Sequence, residues 1–318
     1  MKKVTIPNTD LLVSNICYGS THMAFEDEAK YDECLDCYYD LGGNFIDTAN
    51  IYGKWLAHGK NSNEIMLGNW VEKRRVRNKI IIASKAAHPE LASMDIPRMS
   101  YTDIIHDLEE SLTALKTDYL DILWLHRDAE NILVETIVDM MLRIRDSGKI
   151  RYFGCSNWKP ERIKHAIDYA AKINVTGFIA NQPQWSLAVP NASETDDKTL
   201  VRMDADGLGL HERAGLAAIP YSSQAGGFFT KYDDGAASEF LLKKYVNDDN
   251  LRVYENMKKI SARTGYNCTQ IALAYLLGHK FTTIPIIGSR TPEQIRGSVS
   301  ASDIRLNGGD MKLLNVND

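Results

Sequence analysis

The chain has 318 residues, of which 44% are hydrophobic and 25% are charged, and its formal net charge is −5 at pH 7. This composition is typical of a soluble globular protein, and the acidic balance argues against nucleic acid or an anionic membrane as a partner. The first residues contain no long apolar run, and no segment reaches the length of a membrane span. We therefore expect a cytoplasmic protein without a secretory signal.

The cysteines give no sign of a disulfide framework or of a metal site. There are five, an odd number, scattered along the chain, which is typical of a reducing compartment. Cys34 and Cys37 have CxxC spacing, but they lie in a helical pattern and no second pair has the spacing of a metal site. The stretch HDLE at 106–109 offers two ligand types without a third. We therefore predict no bound metal.

Taken in chain order, the sequence alternates short apolar runs with amphipathic stretches. Residues 4–15, VTIPNTDLLVSN, predict a short hairpin. Eight candidate strands follow, at ICYG (16–19), FID (45–47), IIIAS (80–84), YLDILWLH (119–126), IRYFGCS (150–156), GFIANQ (177–182), LAAIPYS (216–222) and TIPIIGS (283–289). Helical patterns separate them, for example at 101–116 and 132–149. In the second of these, Ile132, Thr136, Met140 and Ile144 are predicted to share one face, and Gly148 to end the helix.

Alternating strands and helices imply parallel strands joined by right-handed crossovers. Eight such units favour a closed (β/α)8 barrel over an open sheet, and no Pro/Gly/Ser-rich linker divides the chain. We therefore predict α/β class, with residues 1–318 forming a single (β/α)8 TIM barrel behind a short N-terminal β-hairpin. Three long connections, at 85–100, 186–204 and 223–240, follow the third, sixth and seventh strands. They leave the C-terminal ends of the strands, where barrel enzymes place their sites.

Four titratable residues follow three consecutive strands at that face. Asp47 and Tyr52 come after the second strand, Lys85 after the third and His126 at the end of the fourth. A lysine near a phenol stabilises the phenolate, and a carboxylate holds the lysine in place. A histidine can orient a carbonyl oxygen and assist proton movement. The set therefore predicts a tyrosine acting as general acid on a developing alkoxide, and it lacks only a hydride source.

The chain resembles the aldo-keto reductases over nearly its whole length. The resemblance is carried, in family order and spacing, by GGNFIDTANIYG, IIIASK, DILWLHR, GKIRYFGCSNW, ANQPQWS, IPYSSQAGGFF and IPIIGSRTPEQIR. It implies a (β/α)8 barrel that binds NADP(H) across its C-terminal rim, with an Asp, Tyr, Lys, His tetrad. By position, these residues are Asp47, Tyr52, Lys85 and His126.

The resemblance also implies a set of cofactor contacts. Ser156, Asn157 and Gln182 match the group that binds the nicotinamide carboxamide, and Tyr221 matches the aromatic residue that stacks on the nicotinamide ring. The backbone and hydroxyls from Ser222 to Gly227 would pass the pyrophosphate, where small residues allow close approach. The remaining predicted cofactor residues are Gln224, Gly226, Gly288, Ser289, Arg290 and Gln294. Of these, Arg290 would pair with the adenosine 2′-phosphate and favour NADP over NAD.

The sequence departs from the family pattern at the adenine end and in the pocket. Many relatives have Glu-Asn where this chain has Gly297 and Ser298, which weakens the case for adenine recognition. The predicted substrate-binding residues are His22, Trp55 and Arg127, with Met23, Phe25, Pro89 and Trp158 as further pocket candidates by location. Arg127 and Asp128 suit a polar, sugar-like substrate, or equally an ion pair at the rim.

The sequence therefore predicts a reductase of a small-molecule aldehyde or ketone that uses NADP(H). Two other classes stay open. One is a regulatory subunit, because potassium-channel β subunits resemble this family and retain the same tetrad. The other is a barrel hydrolase or isomerase without nicotinamide, which the Ser156, Asn157, Gln182 and Arg290 set argues against. The particular substrate, the physiological direction and the oligomeric state do not follow from the residues.

Overall fold

The structure, a computed structural model, describes residues 1–21, 27–191 and 197–315. Within these ranges the strands are β1 (Lys3–Thr5), β2 (Leu12–Ser14), β3 (Cys17–Gly19), β4 (Phe45–Asp47), β5 (Ile81–Ala86), β6 (Leu120–Leu125), β7 (Ile150–Ser156), β8 (Ala180–Gln182), β9 (Ala217–Ala218) and β10 (Ile286–Ile287).

The helices within the same ranges mostly alternate with the strands. They are α1 (Glu28–Asp40), α2 (Ser62–Arg74), α3 (Tyr101–Leu115), α4 (Val134–Asp146), α5 (Pro160–Lys172), α6 (Ala205–Ala214), α7 (Phe228–Asp233), α8 (Glu239–Tyr245), α9 (Asp248–Thr264), α10 (Cys268–Leu277), α11 (Pro292–Val299) and α12 (Gly308–Leu314). None of the described helices combines the length and apolar character needed to cross a membrane.

Strands β3 to β10 form one parallel sheet in the order β10-β3-β4-β5-β6-β7-β8-β9. The two ends of this order also meet. Ala218 of β9 donates a backbone hydrogen bond to Thr282 and accepts one from Ile284, both at 2.9 Å, just before β10 begins. The predicted (β/α)8 barrel is confirmed, and so is the N-terminal hairpin, in which β1 pairs antiparallel with β2. The extent of the single domain, residues 1–318, stays a prediction.

The strand period of two separates the barrel interior from the layer under the helices. Phe45, Ala83 and Trp124 belong to the interior cluster. Their neighbours in sequence, Ile46 and Leu123 among them, pack instead in the cluster that includes the helices. Two residues beyond each of the three interior positions, the strands end in the polar side chains of the site.

The hairpin closes the N-terminal end of the barrel. Ile6, Leu11 and Val13 are buried and join the same interior cluster. Asp10, in the hairpin loop, pairs at 2.8 Å with Arg151 near the start of β7, which places the hairpin at the end opposite the site. Apolar side chains therefore fill the N-terminal end of the barrel, and the site lies at the C-terminal end.

Three details of the sequence prediction were wrong, and the first is that β8 begins at Ala180 and not at residue 177. The buried face of α4 consists of Val134, Ile137, Val138, Met141 and Ile144, whereas Thr136 is exposed. A strict four-residue spacing drifts around a helix of 3.6 residues per turn, so it does not follow the buried face. Strands β9 and β10 are also much shorter than predicted, because Pro220 and Pro285 have no N–H to donate to a strand ladder. Gly148 does lie just beyond α4, with φ of +80°.

All five cysteines are free and buried. Cys34 and Cys37 lie within α1, as predicted from the helical pattern. Burial raises the pKa values of the Cys17 and Cys155 thiols well above the usual value for cysteine.

Candidate active site

Lys85 is the centre of the polar cluster at the C-terminal end of the barrel. Its side chain is 2% exposed, and its ammonium donates to the carboxylate of Asp47, to the Thr48 carbonyl at 2.7 Å and to the Tyr52 hydroxyl at 3.1 Å. Burial by itself would lower the pKa of Lys85, but the Asp47 and Tyr52 charges outweigh it and raise the pKa above its usual value. The lysine is therefore a buried, fixed cation in contact with a phenol.

Asp47 is fixed from its other side. Its second carboxylate oxygen accepts from the indole nitrogen of Trp124 at 3.1 Å and from the amide of Gln182 at 2.8 Å. A buried carboxylate with three donors is fully compensated, so it can hold Lys85 without moving. Trp124 was not among the residues predicted from the sequence, although it lies on β6 two residues before His126 and therefore faces the same way.

His126 also packs against the phenol. Its ring centroid is 6.1 Å from that of Tyr52, and its Nδ1 atom is buried with no hydrogen-bond partner among the described residues. Burial, and then the nearby Arg127, His88 and Lys85, lower the pKa of His126 well below its usual value. The imidazole is thus neutral at physiological pH and can orient an oxygen without competing for the proton of Tyr52.

His88 is a further residue of the site that sequence analysis missed. It follows β5 on the long connection at 85–100, and its ring centroid is 4.7 Å from that of His126. Its Nδ1 atom contacts the Pro89 carbonyl oxygen at 2.7 Å. Burial and the nearby Arg127 lower the pKa of His88. The predicted pocket residue Trp55 is 46% exposed and also packs against the phenol, with its ring centroid 5.9 Å from that of Tyr52.

The predicted substrate contact Arg127 is almost completely buried, and its guanidinium is engaged within the protein. It donates to Thr199 at 2.7 Å and pairs with Asp197 at 3.0 Å. Asp128 pairs instead with Arg162 at 2.6 Å. The rim therefore carries two separate ion pairs, and neither joins Arg127 to Asp128. The role of Arg127 toward a substrate stays a prediction, and His22, Met23 and Phe25 lie outside the described residues.

The four residues predicted to meet the nicotinamide are joined by hydrogen bonds, and Asn157 connects them to His126. Asn157 donates to the His126 carbonyl oxygen at 3.2 Å and accepts from the Tyr221 hydroxyl at 2.7 Å. Ser156 donates to the backbone carbonyl of Gln182 at 2.8 Å. The amide nitrogen of Gln182 is already used by Asp47, so this residue also supports the tetrad.

The residues predicted to meet the phosphates lie after β9 and β10. Gln224 and Ser289 each contact the Ser298 hydroxyl, at 3.1 and 3.2 Å, so the two segments are joined through α11. The side chain of Gln294 accepts from the backbone N–H of Arg290 at 2.8 Å. Gly226 has φ of +66°, a conformation that favours glycine, and Gly288 directly follows β10.

This rim suits an anionic group. Arg290 is exposed, and its guanidinium makes no ion pair with any residue in the described ranges. Ser222 is exposed on the segment after β9, and Pro220 of this segment accepts from the backbone N–H of Ile286 in β10 at 2.9 Å. A free guanidinium with hydroxyls and glycine backbone nearby is the donor set that phosphates require.

One group of metal-ligand types occurs among the described residues, formed by His106, Asp107 and Glu110. The third member, Glu110, was not recognised in the sequence. Both carboxylates already have cationic partners, because Asp107 pairs with Arg98 at 2.8 Å and Glu110 with Lys54 at 2.6 Å. We therefore interpret the group as part of an ion-pair network.

Comparison with known proteins gives a consistent result. A model described as "Aldo/keto reductase family" matches residues 15–316. The norsolorinic acid reductase of Emericella nidulans is 26% identical, over 99% of this chain and 80% of its own length. The aryl-alcohol dehydrogenase [NADP(+)] of Phanerodontia chrysosporium is 26% identical, over 94% and 77%. A probable voltage-gated potassium channel subunit beta of Arabidopsis thaliana is 28% identical, over 96% and 92%.

The fold comparison agrees. A crystal structure of a thermostable aldo-keto reductase in complex with the inhibitor epalrestat matches with a TM-score of 0.73 at 22% identity, over 99% of this chain and 98% of that one. At this level of identity, the match supports the fold.

Proposed function

The chain belongs to the aldo/keto reductase family, and from this membership we propose that it is an NADPH-dependent reductase of an aldehyde or ketone. The observation that carries the proposal is the contact of buried Lys85 with both Asp47 and Tyr52. A cation held against a phenol stabilises the phenolate, so the tyrosine can give up its proton at the moment an alkoxide forms.

When bound, the nicotinamide cofactor supplies the hydride that reduces the carbonyl carbon. The chain's own residues handle the proton and the orientation. Tyr52 donates its hydroxyl proton to the carbonyl oxygen, and Lys85, fixed by Asp47, stabilises the phenolate that remains. His126 orients the same oxygen as a neutral donor. Water exclusion follows from the burial of Lys85 and Asp47 at the base of the site.

Cofactor binding is assigned to residues on the ends of four strands. Ser156, Asn157 and Tyr221 would hold the nicotinamide, with Gln182 beside them. Ser222, Gln224 and Gly226 would hold the pyrophosphate. Gly288, Ser289, Arg290 and Gln294 would hold the 2′-phosphate end. The uncompensated guanidinium of Arg290 supports NADP(H), and so does the specification of NADP(+) in the name of the dehydrogenase relative.

The first test is a titration of the purified protein with NADPH and NADH, followed by quenching of tryptophan fluorescence. We expect tighter binding of NADPH, and loss of roughly tenfold to a hundredfold of that affinity in Arg290→Ala. Arg296→Ala, which removes a guanidinium from α11 that contacts Cys37, is the matched control. Equal binding of both nucleotides would remove the assignment to Arg290 but leave a reductase.

The second test is turnover of 4-nitrobenzaldehyde with NADPH. Tyr52→Phe should lower kcat by roughly 10² to 10⁴ because it removes the general acid, while NADPH binding is retained. Tyr152→Phe removes a phenol hydroxyl that contacts Asp10 at the far end of the barrel, and it is the control. An equal loss of kcat in Tyr52→Phe and Tyr152→Phe would contradict the role of Tyr52 as general acid.

A regulatory subunit is a second candidate, favoured by the 28% identity to the potassium channel subunit beta relative. The same tetrad is compatible with either function. Nucleotide binding without turnover of any of a panel of aldehydes and ketones, together with capture of a membrane-channel partner, would favour this second candidate.

A further inference from the structure

Three rings at the rim of the barrel are in contact through His126. The Tyr52 and His126 centroids are 6.1 Å apart, and those of His126 and His88 are 4.7 Å apart. Tyr52 and His126 both serve the carbonyl oxygen in the proposed reaction. His88 is the third ring of this group, and the proposed reaction gives it no role.

The hydrogen bonds of His88 determine which of its nitrogens carries the proton. Nδ1 lies 2.7 Å from the Pro89 carbonyl oxygen, which can only accept, so Nδ1 must be the donor. The lowered pKa of His88 keeps the ring neutral at physiological pH. Its Nε2 atom therefore carries a lone pair. Among the described residues this atom makes no hydrogen bond and is not fully buried, and the residue as a whole is half-buried.

His126 presents the opposite polarity. Its Nδ1 atom is buried without a partner in the described part of the chain, and a buried N–H without an acceptor is rarer and more costly than an unused lone pair. The proton of the neutral ring therefore belongs on Nε2, which is accessible. His126 thus offers an N–H donor, and the adjacent His88 offers an acceptor.

His88 is held firmly enough to act in recognition. Its backbone carbonyl accepts from Arg98 at 3.1 Å, and Arg98 forms a two-pronged pair with buried Asp107 at 2.8 and 3.0 Å. The same carboxylate accepts from the backbone N–H of Ala87 at 2.9 Å. The backbone immediately before and after the His88 side chain is therefore fixed to α3.

We infer that His88 selects substrates with a hydroxyl on the carbon next to the carbonyl, and that the substrate class is an α-hydroxy aldehyde or ketone. The carbonyl oxygen accepts from Tyr52 and His126, and the neighbouring hydroxyl donates to Nε2 of His88. This inference rests on the proposed function, because it assumes that Tyr52 and His126 meet the carbonyl.

The test compares lactaldehyde with 2-methylpropanal, in which a methyl group replaces the hydroxyl at similar size. The ratio of kcat/KM for the two aldehydes is measured with NADPH for the unaltered full chain, His88→Leu, His88→Asn and Trp55→Leu. We expect the unaltered chain to prefer lactaldehyde, and His88→Leu to reduce this preference roughly three- to tenfold through loss of one hydrogen bond. His88→Asn keeps an acceptor oxygen and should retain more of the preference.

Trp55→Leu is the control for a change of pocket shape at another ring that packs against Tyr52, and it should change both rates in the same direction. If His88→Leu is poorly folded by circular dichroism, the comparison of His88→Asn with the unaltered chain decides. An unaltered chain with no preference for lactaldehyde, or a preference that survives in His88→Leu, overturns the inference.

The failure of the inference is distinguishable from that of the proposed function. Tyr52-dependent reduction of 4-nitrobenzaldehyde without a preference for lactaldehyde leaves the reductase and removes the role of His88. No reduction of any aldehyde overturns both.

Discussion

At the scale of single residues, a buried carboxyl behind the site controls how stability depends on pH. Glu64 of α2 is fully buried, accepts from Ser84, the neighbour of Lys85, and accepts from Asn61 at 2.8 Å. Burial raises its pKa to about 7, because these hydrogen bonds only partly compensate the loss of water around the charge. Glu64 therefore becomes ionised within the physiological range.

Replacing Glu64 with Gln should change the pH dependence of folding. A carboxyl with a higher pKa in the folded chain stabilises the protein below its unfolded pKa, and this contribution is lost as pH rises through about 7. Between pH 4 and pH 8, the free energy of unfolding of the unaltered chain should fall by about 3 kcal/mol relative to that of Glu64→Gln, which has no carboxyl to ionise at this position. Urea unfolding across this range measures the difference. Glu33→Gln, at an exposed position of α1, controls for loss of a charge; equal pH dependence in both variants would contradict the prediction.

Gly297 tests the departure from the family pattern at the adenine end. It lies in α11, and a Cβ atom there would meet no other atom within 4 Å. Gly297→Glu and Gly297→Ala should both raise the free energy of unfolding by about 1 kcal/mol, because glycine weakens a helix interior. Only the glutamate should also tighten NADPH binding in the fluorescence titration. Equal dissociation constants for the two variants would exclude an adenine contact from this position.

The meeting of Asp47, Lys85 and His126 at one face could be predicted from the sequence because each continues a strand pattern. Asp47, Lys85 and His126 each follow an interior residue by two positions, so strand periodicity carries them to the same face of the barrel. His88 has no such pattern. Its place depends on a contact between Arg98, in the irregular connection after β5, and Asp107 of α3, and local sequence does not encode that contact.

At the scale of elements, the Arg98–Asp107 pair fixes the connection between β5 and α3. Asp107 is 2% exposed, so removal of Arg98 would leave a buried carboxylate without its cation. Arg98→Ala should lower the free energy of unfolding by about 3 kcal/mol. Adding Asp107→Asn should recover part of this loss, because the uncompensated charge is gone.

Urea unfolding of the two single variants and the double variant measures the coupling. Arg252→Ala, which breaks an exposed pair with Asp249, should cost less than about 1 kcal/mol and is the control for a surface pair. Additive effects of Arg98→Ala and Asp107→Asn would show that the pair does not act as a unit.

The elements themselves were predicted with uneven accuracy. The boundaries of β4 and β7 match the sequence prediction, and neither run contains a proline that would interrupt the strand ladder. The last two strands were overestimated, since an apolar run containing proline cannot continue a ladder of hydrogen bonds. The face of α4 was misplaced because exposed Thr136 was included in an otherwise apolar series.

At the scale of the whole molecule, stability and chemistry occupy opposite ends of the barrel. Leu11→Ala should lower the free energy of unfolding by about 3 kcal/mol, because it leaves a cavity among the hairpin side chains that fill the N-terminal end of the barrel. It should leave kcat/KM unchanged, since the site lies at the other end. Leu12→Ala is a neighbouring control, because Leu12 is 55% exposed and Leu11 only 1%. A loss of activity in Leu11→Ala at temperatures where it remains folded would contradict this separation.

The closed barrel was predictable because eight strand–helix units leave few other arrangements. Which apolar residues fill its lower end was not, since Leu11 and Leu12 are adjacent and identical in type. Only the turn of the hairpin decides which of them enters the barrel.

The burial of every thiol has a practical consequence for following motion in this chain. A thiol reagent needs an exposed thiolate, so the folded protein should react slowly at each cysteine, and each reaction rate measures how often that part of the molecule opens. Cys37 and Cys268, each 8% exposed, should be modified before Cys17 and Cys155, which are fully buried in the barrel wall. Mass spectrometry during labelling would reveal the order of modification. Addition of NADPH should slow the reaction of any cysteine whose surroundings open less often when the nucleotide is bound.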